Sequence, residues 1–137
     1  MPVRVVLDTK VVAVGACWDG EGYLCLVKLA RRQAFAFATE ATLAETREVT
    51  IRLIREQRPR HNAAGRLTWY LEHVRLVNAV PLGKQLPRDP KDDAYLAAAL
   101  AAEAQCLVSY DHDLLVLGKP FGIEIVTPAG FLRRVPG

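Results

Sequence analysis

Asp8, Glu45, Asp93 and Asp111 are the residues of this chain best placed to do chemistry together. Asp8 closes the apolar run Val3-Arg4-Val5-Val6-Leu7, and Asp111 follows the run Cys106-Leu107-Val108-Ser109-Tyr110. Glu45 interrupts a helical row with Ala41 and Val49, and Asp93 falls in the first turn of an alanine-rich helix. A carboxylate on a core-facing row is costly unless it is paired or metal-bound. If the chain is an α/β sheet protein, all four acids can meet at one sheet edge, where a cation must offset their repulsion. Hard oxygen ligands with few histidines favour Mg²⁺ or Mn²⁺. Such ions most often serve phosphate chemistry.

Neighbouring acids have plainer explanations. Glu48 stands four residues before Arg52, the spacing of a surface ion pair. Glu40 lies in a first helical turn, where any acid suits the helix dipole. Asp92 and Asp93 share that explanation, but Asp93 lines up with Ala97, Leu100 and Ala104, while Asp92 lines up with Tyr95, Leu96, Ala99 and Glu103. Asp93 is therefore the inward candidate. Asp113 points into the site or into solvent; His112 reads as a solvated loop histidine.

The charges are unevenly spread. From Arg47 to Arg66 six arginines face two glutamates, a net +4; from Asp89 to Asp113 six acids face one lysine, a net −5. An acid pocket and an arginine-rich stretch on one domain suit an enzyme of a phosphate backbone, with Arg52, Arg55 and Arg58 as the backbone-facing candidates. The bland alternative for that stretch is a solvated helix face.

The elements that must position these residues follow from pattern and punctuation. Strands are expected at Val3–Leu7, Ala34–Ala38, Leu76–Val80, Leu107–Ser109 and Ile123–Val126. Helices are expected at 10–17 and 22–32, broken at Asp19-Gly20-Glu21-Gly22, then from the Thr39 cap to about Gln57 and from about Ala64 to Arg75. Pro81 to Arg88 reads as a loop. Asp89 caps a helix with Pro90 at its first position, and further helices cover Asp111–Leu117 and Pro128–Arg134. Strands alternating with helices imply an α/β fold with a mostly parallel sheet covered on both faces. Sites of such sheets lie outside the carboxyl ends of the strands, where Asp8 and Asp111 fall.

A chain of 137 residues, 51% hydrophobic and 24% charged, fits one domain over residues 1–137 and excludes a disordered chain. No apolar run approaches the roughly 20 residues that cross a bilayer, and the N-terminus lacks a charged-then-apolar signal segment. Cys17, Cys25 and Cys106 have no metal-ligand spacing and read as buried free thiols, as expected in a reducing cytoplasm.

With these residues in place, the chain resembles the PIN-domain family. The resemblance is carried by Val5-Val6-Leu7-Asp8-Thr9, by Thr39 with Glu45 six residues on, and by Asp89-Pro90-Lys91-Asp92-Asp93-Ala94-Tyr95-Leu96. It continues through Leu107-Val108-Ser109-Tyr110-Asp111-His112-Asp113 and Gly122 to Leu132. It implies a three-layer α/β/α sandwich and a Mg²⁺- or Mn²⁺-dependent ribonuclease. The metal-site acids map onto Asp8, Glu45, Asp93 and Asp111, with Asp113 as a supporting acid and Ser109 as a hydroxyl beside the site. Among its members, toxins of toxin–antitoxin pairs are most similar, which implies a homodimer and an inhibitory antitoxin protein. One departure stands out: where the family usually has asparagine two residues after the first aspartate, this chain has Lys10. Its ammonium could compete with a metal, contact a phosphate, or extend into solvent.

The expected function is thus a metal-dependent endoribonuclease. One rival is a degenerate domain that holds RNA or a protein without cutting, which Lys10 favours. Another is a receiver-like signalling domain. That rival needs an aspartate at the end of a middle strand and a late lysine directly after a strand, whereas Lys119 sits in a Gly-Lys-Pro loop.

Overall fold

Alternating side chains along short apolar strands build the sheet. In β1 (Val3–Leu7) Val5 and Leu7 enter one core and Val6 the other; in β4 (Cys106–Val108) Leu107 faces opposite to its neighbours. The structure, a computed structural model, describes residues 2–79 and 90–137, with backbone alone for residues 90–92. The expected loop 81–88, the Asp89 cap and the Asp92 side chain lie outside the described residues.

Five strands form one parallel sheet in the order β3-β2-β1-β4-β5, completed by β2 (Ala34–Ala38), β3 (Arg75–Leu76) and β5 (Glu124–Val126). One face carries α1 (Thr9–Cys17), α2 (Glu21–Ala30), α4 (Ala63–His73) and α7 (Pro128–Arg134) over a core of Val5, Leu26, Tyr70 and Phe131. The other carries α5 (Pro90–Ala101) and α6 (His112–Leu115) over Val6, Leu96, Leu107 and Ile125. The long α3 (Glu40–Gln57) packs outside, on α1 and α4. This is the expected three-layer α/β/α sandwich.

Strand order reverses between β1 and β4, so the crevice of this sheet opens past Leu7 and Val108. Asp8 and Ser109 are the residues that follow them. α1 packs closely on α2. A Cβ on Gly15 would lie 2.7 Å from the Gly22 carbonyl oxygen, so the crossing needs glycine there.

Some boundaries differ from the sequence pattern. The helix expected to reach Arg75 stops at His73, because Arg75 and Leu76 pair with Phe37 and Ala38. The strand expected over 76–80 shortens to this exposed two-residue edge, with Val80 outside the described residues. The apolar row expected on α3 is instead threonine: Thr42, Thr46 and Thr50 are buried, Ala41 is exposed, and Glu45 and Val49 are half-buried at the flank. Threonine packs its methyl on such a face; the Thr42 and Thr46 hydroxyls find partners there, while that of Thr50 has none among the described residues.

Candidate functional site

The Thr39 and Thr42 side chains close a capping box at the start of α3, fixing the turn that carries Glu45 inward. Asp8 stands at the cap position of α1, but its side chain makes no capping hydrogen bond. It accepts a hydrogen bond instead from the Ser109 hydroxyl, 2.7 Å from its Oδ2. Ser109, fully buried, also accepts the Asp111 backbone N–H at 2.9 Å. Asp111 caps α6, its Oδ1 accepting the Asp113 N–H at 3.0 Å. One serine thus ties the acid after β1 to the acid after β4. Burial raises the Asp8 carboxyl above its ordinary value; the Ser109 bond and the Thr9 amide oppose this, Asp111 adds to it, and Lys10 opposes it least.

Glu45 lies on α3 and Asp93 in the first turn of α5. The phenol of Tyr95 is pushed up by burial, lowered by its bond to Thr9, and raised by the charges of Asp8 and Glu45. Both carboxylates therefore lie within electrostatic reach of one phenol. Asp93 begins the same helix, and its Oδ1 is buried without a hydrogen-bond partner among the described residues. Its row does not stand apart by burial, since Tyr95, Leu96 and Ala99 are as deeply packed as Ala97 and Ala104. Asp113 is half-buried in the first turn of α6. Lys10, His112, Arg52, Arg55 and Arg58 are exposed, with Arg58 ending α3 in the left-handed region.

Three buried hydroxyl residues next to the candidate acids escaped the sequence reading. Thr9, Thr46 and Tyr95 are buried, and Thr9 joins the other two by hydroxyl–hydroxyl bonds, 2.8 Å to Thr46. The signal was a hydroxyl one or two residues after each of Asp8, Glu45 and Asp93.

The donor set suits a hard divalent cation: carboxylate oxygens, one of them buried without a donor, and one carboxyl strained toward protonation by burial. No group of three or more His, Cys, Asp or Glu side chains stands close enough to hold a metal ion among the described residues. Mg²⁺ does not need such a cage, because it usually keeps several waters and takes one or two carboxylates plus substrate phosphates.

The fold is a parallel α/β/α sandwich in which Asp8 and Asp111 follow the two strands that flank its switch point. A protein-family profile described as PIN domain matches residues 4–113, and the chain belongs to that family, whose members are generally nucleases. No curated protein matches the sequence. The crystal structure of PAE2754 from Pyrobaculum aerophilum is similar at 19% identity and a TM-score of 0.60, over 97% of this chain and 89% of that one; this likeness speaks to the fold alone. No helix among the described residues is long and apolar enough to cross a membrane.

Proposed function

We propose that the chain is a Mg²⁺- or Mn²⁺-dependent endoribonuclease, one domain over residues 1–137, and the toxin of a toxin–antitoxin pair. The observation that carries the metal-site reading is the buried Asp93 Oδ1, which has no hydrogen-bond partner among the described residues, on the helix whose Tyr95 feels the Asp8 and Glu45 charges. A buried carboxylate oxygen without a donor is a demand that a cation meets. Asp8, Glu45, Asp93 and Asp111 would hold the ion, with Asp113 supporting. Bound there, a divalent ion lowers the pKa of a coordinated water and offsets charge on the scissile phosphate.

The chain's own residues do the rest. Ser109 fixes the rotation of the Asp8 carboxylate by donating to Oδ2. Asp111 is held by the N–H of Asp113. Arg52, Arg55 and Arg58 hold the RNA backbone without reading its sequence. An inhibitory antitoxin protein and a homodimeric assembly complete the reading; both rest on the resemblance to toxin members of the family.

A second reading is a PIN domain that binds RNA or protein without cutting. The exposed Lys10 near Asp8 and the lack of a closed ligand group among the described residues favour it. Incubating single-stranded RNA with wild type and Asp8→Asn in Mn²⁺ separates the two. Cleavage by wild type that falls at least about 100-fold in the variant supports the nuclease. Equal rates in both proteins sink it, and retained RNA binding without cleavage supports the second reading.

A further inference from the structure

Three buried hydroxyls form a chain across three helices. Thr9 opens α1, Thr46 lies in the middle of α3, and Tyr95 lies in the first half of α5. Thr9 Oγ1 lies 2.8 Å from Thr46 Oγ1 and is also hydrogen-bonded to the Tyr95 hydroxyl. The three residues are 5%, 2% and 2% exposed, so water does not compete for these bonds. Each is fixed in sequence to an acid: Thr9 follows Asp8, Thr46 follows Glu45, and Tyr95 comes two residues after Asp93.

Carboxylates that share a site repel one another, and nothing in helix packing sets their separation to the fraction of an ångström that an ion requires. Apolar contacts between α1, α3 and α5 resist separation but tolerate sliding and rotation. Directional hydrogen bonds do not. Tyr95 is the member that spans farthest, because its ring carries the hydroxyl from α5 to the junction of α1 and α3.

We propose that Tyr95 is a positioning residue: its hydroxyl, bonded to Thr9 beside Thr46, fixes the separation of the Asp8, Glu45 and Asp93 carboxylates. The proposal rests on the divalent-metal reading above for its purpose, though not for its geometry. Tyr95 touches no substrate and acts only through the acids beside its partners. The hydroxyl chain is one unit, so breaking either link releases the same constraint.

The test uses the full chain and three variants: Tyr95→Phe, Thr46→Val and the double. Mn²⁺ is titrated by calorimetry, thermal melts are recorded, and wild type and Tyr95→Phe are crystallised. Each single variant is expected to bind Mn²⁺ about tenfold more weakly, and the double no more weakly than either, as residues of one network behave. A lowered melting temperature with unchanged Mn²⁺ affinity overturns the proposal, because it assigns the hydroxyls to stability alone. Additive losses in the double overturn the single-unit claim. If wild type takes up no Mn²⁺, the metal reading fails by itself and the crystal structures decide the brace. Displaced Asp8, Glu45 or Asp93 carboxylates in Tyr95→Phe uphold it, and superimposable ones overturn it.

Discussion

Two regions of this protein differ in what their polar groups still need. A cavity of about 340 Å³ lies against the first residues of β2, walled by the end of α2 and by Trp69, Tyr70, His73 and Arg75. Its charged groups are content. His73 stacks on Trp69 at 4.3 Å and bonds that residue's carbonyl, the Arg75 guanidinium sits 4.1 Å over Phe35, and Arg32, His73 and Arg75 all reach water. The acids are the reverse: Asp93 holds a buried oxygen without a partner among the described residues, and Asp8, past β1, is pushed toward its proton. Volume marks where a ligand fits; unmet electrostatic demand marks where the chain has given up stability for a purpose.

The sharpest way to break that contrast is to mutate both regions. Asp93→Asn is expected to lower kcat/KM for RNA cleavage at least about 100-fold, as loss of a direct ligand exceeds the 10–100-fold cost of losing an outer partner. His73→Ala should leave kcat/KM within about twofold while removing roughly 0.5–1.5 kcal/mol of ring stacking from stability. If His73→Ala damages cleavage as much as Asp93→Asn, the cavity belongs to the active machinery and the contrast collapses.

A second experiment concerns the exposed arginines of α3. Replacing Arg52, Arg55 and Arg58 with Ala should weaken binding of all single-stranded sequences alike. The slope of log affinity against log salt should fall by about 0.7 for each phosphate no longer neutralised, so by about 2 if all three touch the backbone. A slope identical to wild type would show that this side of α3 only meets water.

Stability at different pH sharpens the same contrast from the folding side. Burial, more than any other cause, raises the Asp8 carboxyl above its ordinary 3.8. A group whose folded pKa exceeds its unfolded one contributes stability in full below the unfolded value, and loses it as pH rises through the folded value. At neutral pH the ionised Asp8 is therefore a net cost. Asp8→Asn keeps the acceptor for Ser109 and removes the charge, so it should stabilise the inactive protein at pH 7 by about 0.5–2 kcal/mol. That advantage should shrink as pH falls toward the ordinary carboxyl range. Denaturant melts of both proteins at pH 7 and pH 4 check it, and a variant less stable than wild type at pH 7 contradicts it.

Much of this arrangement was legible in the sequence because periodicity and punctuation are local. Thr39 and Gln57 bound α3 as expected, and Val3–Leu7, Ala34–Ala38 and Pro128–Arg134 match to the residue. Asp8 and Ser109 fall at the carboxyl edge because a parallel sheet leaves them nowhere else. What stayed hidden depends on partners far along the chain. The burial of Thr42, Thr46 and Thr50 follows from α1 lying against them, which no property of α3 announces. Tyr95 shares the row of Asp92, the acid not expected inward, yet it is buried, and its partner Thr9 stands 86 positions away. The short β3 was overestimated because an edge strand is limited by its one neighbour, not by its own apolar run.

The smallest expected effect is at Lys10, where the chain departs from its family. Lys10 lies in the first turn of α1, is exposed, and exerts the weakest of the influences acting on Asp8. An exposed charge near a carboxylate changes its energy by about 0.2–1 kcal/mol, since water screens it. Lys10→Asn removes a cation that competes weakly with a bound ion, so Mn²⁺ affinity should rise by about 1.5- to 5-fold at low salt and less at high salt. Cleavage at saturating Mn²⁺ should not change, because the ion then occupies the site in both proteins. Slower cleavage with affinity intact would assign Lys10 to the scissile phosphate instead. A rise in affinity well beyond tenfold would mean that the ammonium turns inward when the acids lack an ion, and that this residue holds the acidic edge together in the metal's place. Calorimetric Mn²⁺ titrations at two salt concentrations, with timed cleavage of one RNA, distinguish these outcomes. They also say whether the departure from asparagine merely tunes the acidic edge or helps hold it together.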